Sequence, residues 1–195
     1  MRRPGVRIPH RAQMKYASRA GEKLEWALAK FGVNASSLVC ADFGSNTGGF
    51  VDCLLCHGAV KVYAVETGYG VLDWKLRNNA CVITMERTNA MRVTLPEKAD
   101  FITIDVSWTR LCKILPNAIA NLKPDGQIIA LVKPHYEAGP EHLRKGKLPE
   151  EFIPEVLDNV KNQIKSLGLE IISETQSPIL GEKAGNKEFL LLLKK

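Results

Sequence analysis

The chain has 195 residues, 45% hydrophobic and 25% charged, the balance of one ordinary globular domain able to bury a core without staples. No apolar run nears the roughly 20 residues of a membrane span, and five cysteines in a chain this long are not a secreted disulfide framework, which leaves a reducing cytoplasmic setting. The formal net charge of +6 is uneven: Arg2, Arg3, Arg7, Arg11, Lys15 and Arg19 crowd an acid-free stretch at residues 1–21, and Arg144, Lys145 and Lys147 form a second cluster. Such patches suit a phosphate backbone, although an isolated cluster is as readily a solvated tail. The first is also rich enough in arginine for a mitochondrial presequence, but Pro4 and Pro9 break the amphipathic helix that signal needs.

After a basic arm at 1–17, Ser18 is placed to cap a helix whose apolar positions Leu24, Ala27, Leu28 and Phe31 recur at helical spacing, and Gly32 stops it. Strand-like runs follow at Leu38–Phe43, Val62–Val65, Cys81–Met85, Phe101–Asp105 and Gln127–Lys133. Helical stretches lie near Gly49–His57, Leu72–Asn78 and Arg110–Asn121. A polar loop runs to about Pro149, a helix spans about Glu150 to Leu167, and Glu170–Ile172 and Glu188–Leu193 read as a terminal antiparallel pair. Continuous apolar strands alternating with helices predict one α/β domain at 18–195, with a mainly parallel sheet covered on both faces.

Between the first strand and the second helix lies Asp42-Phe43-Gly44-Ser45-Asn46-Thr47-Gly48-Gly49-Phe50. A glycine turn at the carboxyl end of a parallel strand brings backbone close to a ligand, where α/β folds bind nucleotides. Glu66 ends the next strand, and a carboxylate there suits a pair of ribose hydroxyls. Asn46 stands where a dinucleotide fingerprint needs its middle glycine, and no Walker lysine follows, so pyrophosphate ligands are disfavoured. An acid ahead of G-x-x-x-G-G resembles the first motif of S-adenosylmethionine-dependent methyltransferases; a Gly-rich turn with no ligand is the alternative. Asp42, Gly44, Ser45, Asn46, Gly48, Gly49, Phe50 and Glu66 are the cofactor candidates. Two further strand ends carry charge, Asp105 and Lys133, and an edge ion pair would explain either one alone.

Ser18-Arg19-Ala20-Gly21-Glu22-Lys23-Leu24, the glycine turn, Asp105-Val106-Ser107-Trp108 and Lys133-Pro134-His135-Tyr136-Glu137 occur in the order of the FtsJ-type methyltransferases. Together with Tyr63–Gly70, Glu86–Ala90, Ser177-Pro178-Ile179 and Asn186–Leu190, they resemble the TlyA-type branch, known as haemolysins or ribosomal RNA 2′-O-methyltransferases. The resemblance spans about residues 16 to 194. It implies a Rossmann-like fold with an antiparallel C-terminal strand, S-adenosylmethionine as cofactor and RNA, ribosomal above all, as substrate. It also implies a catalytic tetrad of Lys23, Asp105, Lys133 and Glu188, with Lys133 accepting or polarising the proton of a ribose 2′-hydroxyl. Acting as a base near neutrality would require its pKa to fall from about 10.4 to about 7, with Lys23 pushing that way and the two acids opposing.

By the same resemblance Gly44, Gly48 and Phe50 sit at the methionine end of the cofactor, Glu66 at its ribose, Asn89 at its adenine and Asp105 at its amino group. TlyA-type proteins carry a small RNA-binding module ahead of this domain; only about 17 residues precede Ser18, so that module is expected to be missing, with the basic arm as a partial substitute. Trp108 replaces the usual phenylalanine, with core packing expected over base stacking; Trp26 and Trp74 are likewise read as packing residues. Asp105–Trp108 lacks the prolines of base N-methyltransferases. Cys53-Leu54-Leu55-Cys56-His57 spells a haem-attachment pattern without an export signal, and one C-x-x-C without a partner pair is no zinc site. The competing readings are a non-catalytic protein that binds S-adenosylmethionine or RNA, and a haemolysin.

Overall fold

The computed structural model describes residues 14–182 and 184–195, so most of the basic arm lies outside the described residues. Its elements are α1 (Ala20–Phe31), β1 (Val39–Phe43), α2 (Gly49–Cys56), β2 (Lys61–Val65), α3 (Trp74–Arg77), β3 (Val82–Met85), β4 (Ala99–Ile104), α4 (Leu111–Asn121), β5 (Leu122–Val132), α5 (Pro134–Glu137), α6 (Ile153–Ser166), β6 (Glu170–Gln176) and β7 (Phe189–Lys194). The seven strands form one sheet in the order β3-β2-β1-β4-β5-β7-β6. Pairings among β1 to β5 are parallel, and β7 runs antiparallel to both β5 and β6.

Side chains on a strand alternate between faces, and here each face meets its own layer. Phe43, Ile102, Ile104, Ile128, Ala130, Val132, Leu191 and Leu193 join Ile114, Leu115, Val160 and Ile164 of α4 and α6 in one core. Cys40, Phe101, Ile129, Leu131, Leu190 and Leu192 join Leu24, Leu28, Phe50, Val51 and Leu54 of α1 and α2 in the other. Both faces being covered explains why the strands read as unbroken apolar runs. The edge strand β6 alternates instead between exposed and half-buried residues. Its polar half, Ser173–Gln176, therefore carries no apolar signal.

The order reverses between β1 and β4: the chain leaves β1 for β2 and β3 on one side, then returns to β4 on the other. The crevice outside the carboxyl ends of β1 and β4 is the ligand position of such sheets. Three details differ from expectation. The first residue of α1 is Ala20, and Arg19 caps it with no side-chain hydrogen bond, so Ser18 is not a side-chain cap. The segment after Lys133 folds into α5, with Pro134 in its first turn, where the missing N–H costs nothing. Leu72–Asn78 holds a single turn at Trp74–Arg77, which Asp73 caps by accepting from Lys75 N.

Gly49 sets the approach of α1 to α2. A Cβ there would stand 2.2 Å from Ser18 Oγ and 2.9 Å from Gly21 N, so the position has no room for a side chain. Gly49→Ala should cost about 1–3 kcal/mol and lower the melting temperature by roughly 2–4 °C per kcal/mol. Thermal unfolding of the two proteins checks this, and an unchanged midpoint would refute the packing argument.

Candidate active site

The glycine turn leaves β1 and enters α2 through two left-handed glycines, Gly44 at φ 90° and Gly48 at φ 95°. A Cβ on Gly44 would lie 2.5 Å from the carbonyl oxygen of Asp105, and one on Gly48 would lie 2.3 Å from Leu76. These glycines are thus set by neighbouring protein as well as by any ligand. Asn46 is also left-handed, at φ 47°, a conformation asparagine tolerates. Its N–H goes to Glu66 Oε2 at 2.9 Å, while Gly68 N (2.8 Å) and Thr67 Oγ1 (3.0 Å) donate to Oε1. With about four acceptor positions, the carboxylate is fixed by three donors and keeps capacity for one more. That arrangement fits a ribose hydroxyl.

Asp42 lies inside the sheet, 1% exposed, accepting from Thr103 Oγ1 at 2.7 Å. Burial pushes its pKa up to about 7, against the pull of the Thr103 bond. It is a pin between β1 and β4 beneath the turn, closed from above by Ser45, whose hydroxyl donates to the Asp42 carbonyl at 2.9 Å. Thr103 carries no sequence signal of this role. Phe50 is 2% exposed in the core with Leu24 and Leu54, so its side chain is structural and only its backbone faces the turn. Asn89 is exposed; its side chain accepts from Met91 N at 2.9 Å, and Thr88 N bonds Glu66 O beside it.

Asp105 and Lys133 each follow immediately on their strands, β4 and β5, which are parallel neighbours. Their side chains form an ion pair of 2.5 Å, with Lys133 Nζ also donating to Val106 O at 3.3 Å. Lys23, one turn into α1, pairs with Glu188 at 2.6 Å, ahead of β7. All four side chains are 4–16% exposed. Burial disfavours the Lys133 charge, but the charge and contact of Asp105, with Glu188 and Tyr136 adding, leave its pKa above the ordinary lysine value. The expected depression is therefore not found: the charge and contact of Asp105, with Glu188 and Tyr136 adding, outweigh burial.

The four residues expected to act together come from α1, β4, β5 and the start of β7, and the fold brings them together. The chain belongs to the FtsJ-like methyltransferases. The family profile matches residues 16–195. The hemolysin A of Brachyspira hyodysenteriae is 39% identical over 183 residues, 91% of this chain and 76% of that protein. The 16S/23S rRNA (cytidine-2′-O)-methyltransferase TlyA of Mycobacterium tuberculosis is 35% identical over 190 residues, 94% of this chain and 70% of the other. Among solved structures, a protein from Streptococcus thermophilus described as a hemolysin superposes with a TM-score of 0.90 at 39% identity, covering 94% of this chain and 68% of its own. An S-adenosylmethionine-dependent methyltransferase from Mesorhizobium loti, 15% identical with a TM-score of 0.65, shares the fold.

Within this FtsJ-like domain the aromatic residues depart from the sequence reading. Trp108 is 75% exposed at φ 64°, so it is not a core residue, and its ring lies 5.3 Å from that of Tyr136. Tyr136 in turn lies 5.9 Å from Lys133 Nζ and 4.1 Å from the ring of His135. Trp74 is 75% exposed, and Trp26, half-covered, donates to Thr175 Oγ1 at 3.2 Å. Burial, then the charge of Lys133, pushes His135 down to about 4. In the C-x-x-C-H stretch His57 Nδ1 lies 2.8 Å from the carbonyl of Cys53, and among the described residues no group of acids, cysteines and histidines is arranged to hold a metal. Nor is any helix there long and apolar enough to cross a membrane.

The raised acid Asp42 has a stability signature. Its folded pKa of about 7 lies above the unfolded value of 3.8, so it costs nothing below about pH 4 and progressively more as pH rises to about 7. Asp42→Asn, which stays neutral, should remove that segment of the stability–pH curve. Urea unfolding between pH 4 and pH 8 measures it, and parallel curves for the two proteins would contradict a buried neutral acid.

Proposed function

We propose that the chain transfers a methyl group from S-adenosylmethionine to a ribose 2′-hydroxyl of RNA, ribosomal RNA above all. The observation that carries this reading is the pair of buried ion pairs, Lys133–Asp105 and Lys23–Glu188, set beside the glycine turn. A protein that merely binds cofactor or RNA has no need of two buried lysines held by carboxylates next to its ligand. The named activity of the TlyA relative supports the same acceptor.

The residues present fit S-adenosylmethionine, which supplies an electrophilic methyl on a sulfonium. Glu66 would hold the ribose diol, the backbone of Gly44–Phe50 would line the methionine end, and Asp105 would face the amino group. Asn89 lies at the adenine side. Asp42 and Ser45 hold the turn in shape from beneath. With the cofactor bound, Lys133 would take the proton of the 2′-hydroxyl, freeing that oxygen to accept the methyl as the S–CH3 bond breaks and the thioether leaves. Because Asp105 holds Lys133 as an ammonium, the lysine must first lose its own proton. Engaging Asp105 elsewhere withdraws the charge that keeps it there. Lys23 holds Glu188, whose charge adds to that of Asp105 on Lys133. The exposed Trp108, stacked near Tyr136, offers a face for the base of the acceptor nucleotide.

Labelled methyl transfer to ribosomal RNA and to ribosomal subunits tests the reading. Wild type should label one site and block alkaline cleavage there. Lys133→Ala should lose about 10²–10⁴ in rate while keeping cofactor affinity. Equal rates in the two proteins would sink the mechanism, and cofactor binding without transfer to any RNA would favour a non-catalytic binding protein. The protonation argument adds a separate expectation: the wild-type rate should keep climbing with pH through 9. A plateau near neutrality would show that Lys133 is not the titrating base.

A further inference from the structure

One buried polar side chain takes no part in this chemistry. Asn186 is 5% exposed and two residues ahead of Glu188. Its Oδ1 accepts from Leu148 N at 3.0 Å, its Nδ2 donates to Gly146 O at 3.0 Å, and its own carbonyl accepts from Gly181 N at 2.8 Å. The first two bonds grip both sides of Lys147, in the basic cluster at 144–147. That cluster is a tight reversal: Arg144 and Lys147 exchange backbone hydrogen bonds of 2.9 and 3.0 Å, with Lys145 at φ 52° and Gly146 at φ 78° between them.

Two successive left-handed residues make a primed turn, whose usual occupants are asparagine, aspartate and glycine. A lysine at the first left-handed position is an unfavourable choice, and the second basic side chain of the turn sits there. Arg144, Lys145 and Lys147 are all exposed, and among the described residues none lies in an ion pair with a carboxylate. Glu150 is paired with Lys187 at 2.9 Å and feels the charge of Lys147 without an ion pair to it. The following residue, Leu148, is 3% exposed and anchors the turn in the core. A basic tip that was only solvated would require neither the buried amide nor the strained lysine.

The same amide fixes how far the tip stands from the chemistry. Two residues span at most about 7 Å, and an asparagine bonded to Gly146 adds one side chain and one hydrogen bond. The backbone of the tip therefore lies within about 15 Å of Glu188. Glu188 is itself bound in place, its carbonyl accepting from Ser177 N at 2.8 Å and its carboxylate from Lys23.

We infer that the Arg144–Lys147 turn is a clamp for RNA backbone phosphates within a few nucleotides of the methylated ribose, and that Asn186 is the positioning residue that locks it to the Glu188 segment. The inference rests on the reading of the chain as an RNA-acting enzyme, and binding measured without methyl transfer separates the two. The affinity for a ribosomal RNA transcript is measured across a salt series for wild type, for Arg144→Ala/Lys145→Ala/Lys147→Ala, and for Asn186→Ala, with S-adenosylmethionine affinity as the fold control.

Each phosphate that is no longer neutralised makes the log–log salt slope shallower by about 0.7 to 0.9, so the triple variant should flatten it by about two, with an affinity at least tenfold weaker at low salt. Asn186→Ala should weaken RNA binding by a similar factor with its cofactor affinity intact, and adding it to the triple variant should change little further, since residues acting as one unit are not additive. Asn186→Asp, which keeps the acceptor for Leu148 N and loses the donor to Gly146 O, serves if the alanine variant does not fold. A triple variant with wild-type slope and affinity overturns the clamp. Additive losses overturn the role of Asn186. A turn that governs binding to phosphatidylglycerol vesicles and not to RNA overturns the assignment of partner. Wild type that binds RNA yet transfers no methyl sinks the enzymatic reading and leaves the clamp to be judged by the slopes; wild type that binds no RNA overturns both.

Discussion

The rest of the structure is arranged around one electrostatic constraint: two lysines and two carboxylates are withdrawn from water at one edge of the sheet. Removing charges from water is expensive, and leaving one partner of a buried pair alone costs about 3–5 kcal/mol. Lys133 and Asp105 need β4 and β5 in parallel register, so that both strands end at the same level. Lys23 and Glu188 need α1 laid across the sheet and β7 inserted beside β5. Gly49 allows the first of these by letting α1 approach α2, and four consecutive buried leucines in β7 secure the second. Glu188 also adds to the field on Lys133, so the two pairs are coupled and the geometry that brings their four elements together serves both.

That constraint also reframes the glycine turn. Sequence reading assigned its glycines to a ligand. Gly44 is needed because the Asp105 backbone is 2.5 Å from where a Cβ would be, and Gly48 because Leu72 and Leu76 close over it. The turn is therefore moulded first by the strand that carries Asp105. The glycine turn and the Asp105 backbone share one wall, and the Asp42–Thr103 bond stiffens that wall from inside the sheet.

Much of this was legible in the residues. The apolar runs, the turn, and the charged ends at Asp105 and Lys133 marked the sheet and its candidate edge, because both faces of the sheet are covered and two charged strand ends together interrupt otherwise apolar runs. Lys23 and Glu188 were legible only through family resemblance, since nothing local distinguishes a lysine on an amphipathic helix. Three things were not legible. Ser18 resembles a cap, but the backbone enters the helix already helical at Arg19 and leaves the hydroxyl to pack against Gly49. Trp108 looks like core, yet a left-handed backbone throws it outward. The protonation of Lys133 depends on how closely each carboxylate approaches, a distance no spacing in sequence encodes.

The antiparallel β7 has a consequence for the life of the chain before it is a finished protein. Glu188 and the strand behind it follow β5 and β6 in the chain, and that strand must slide between the two. Lys23, 165 positions earlier, waits without its partner until then. A nascent chain can thus pair β1 to β4 and pack α1 and α2 on them before Glu188 is made. Contacts so distant along the chain are slow to form. The two ion pairs therefore close by different routes, one between adjacent strands and one across most of the chain.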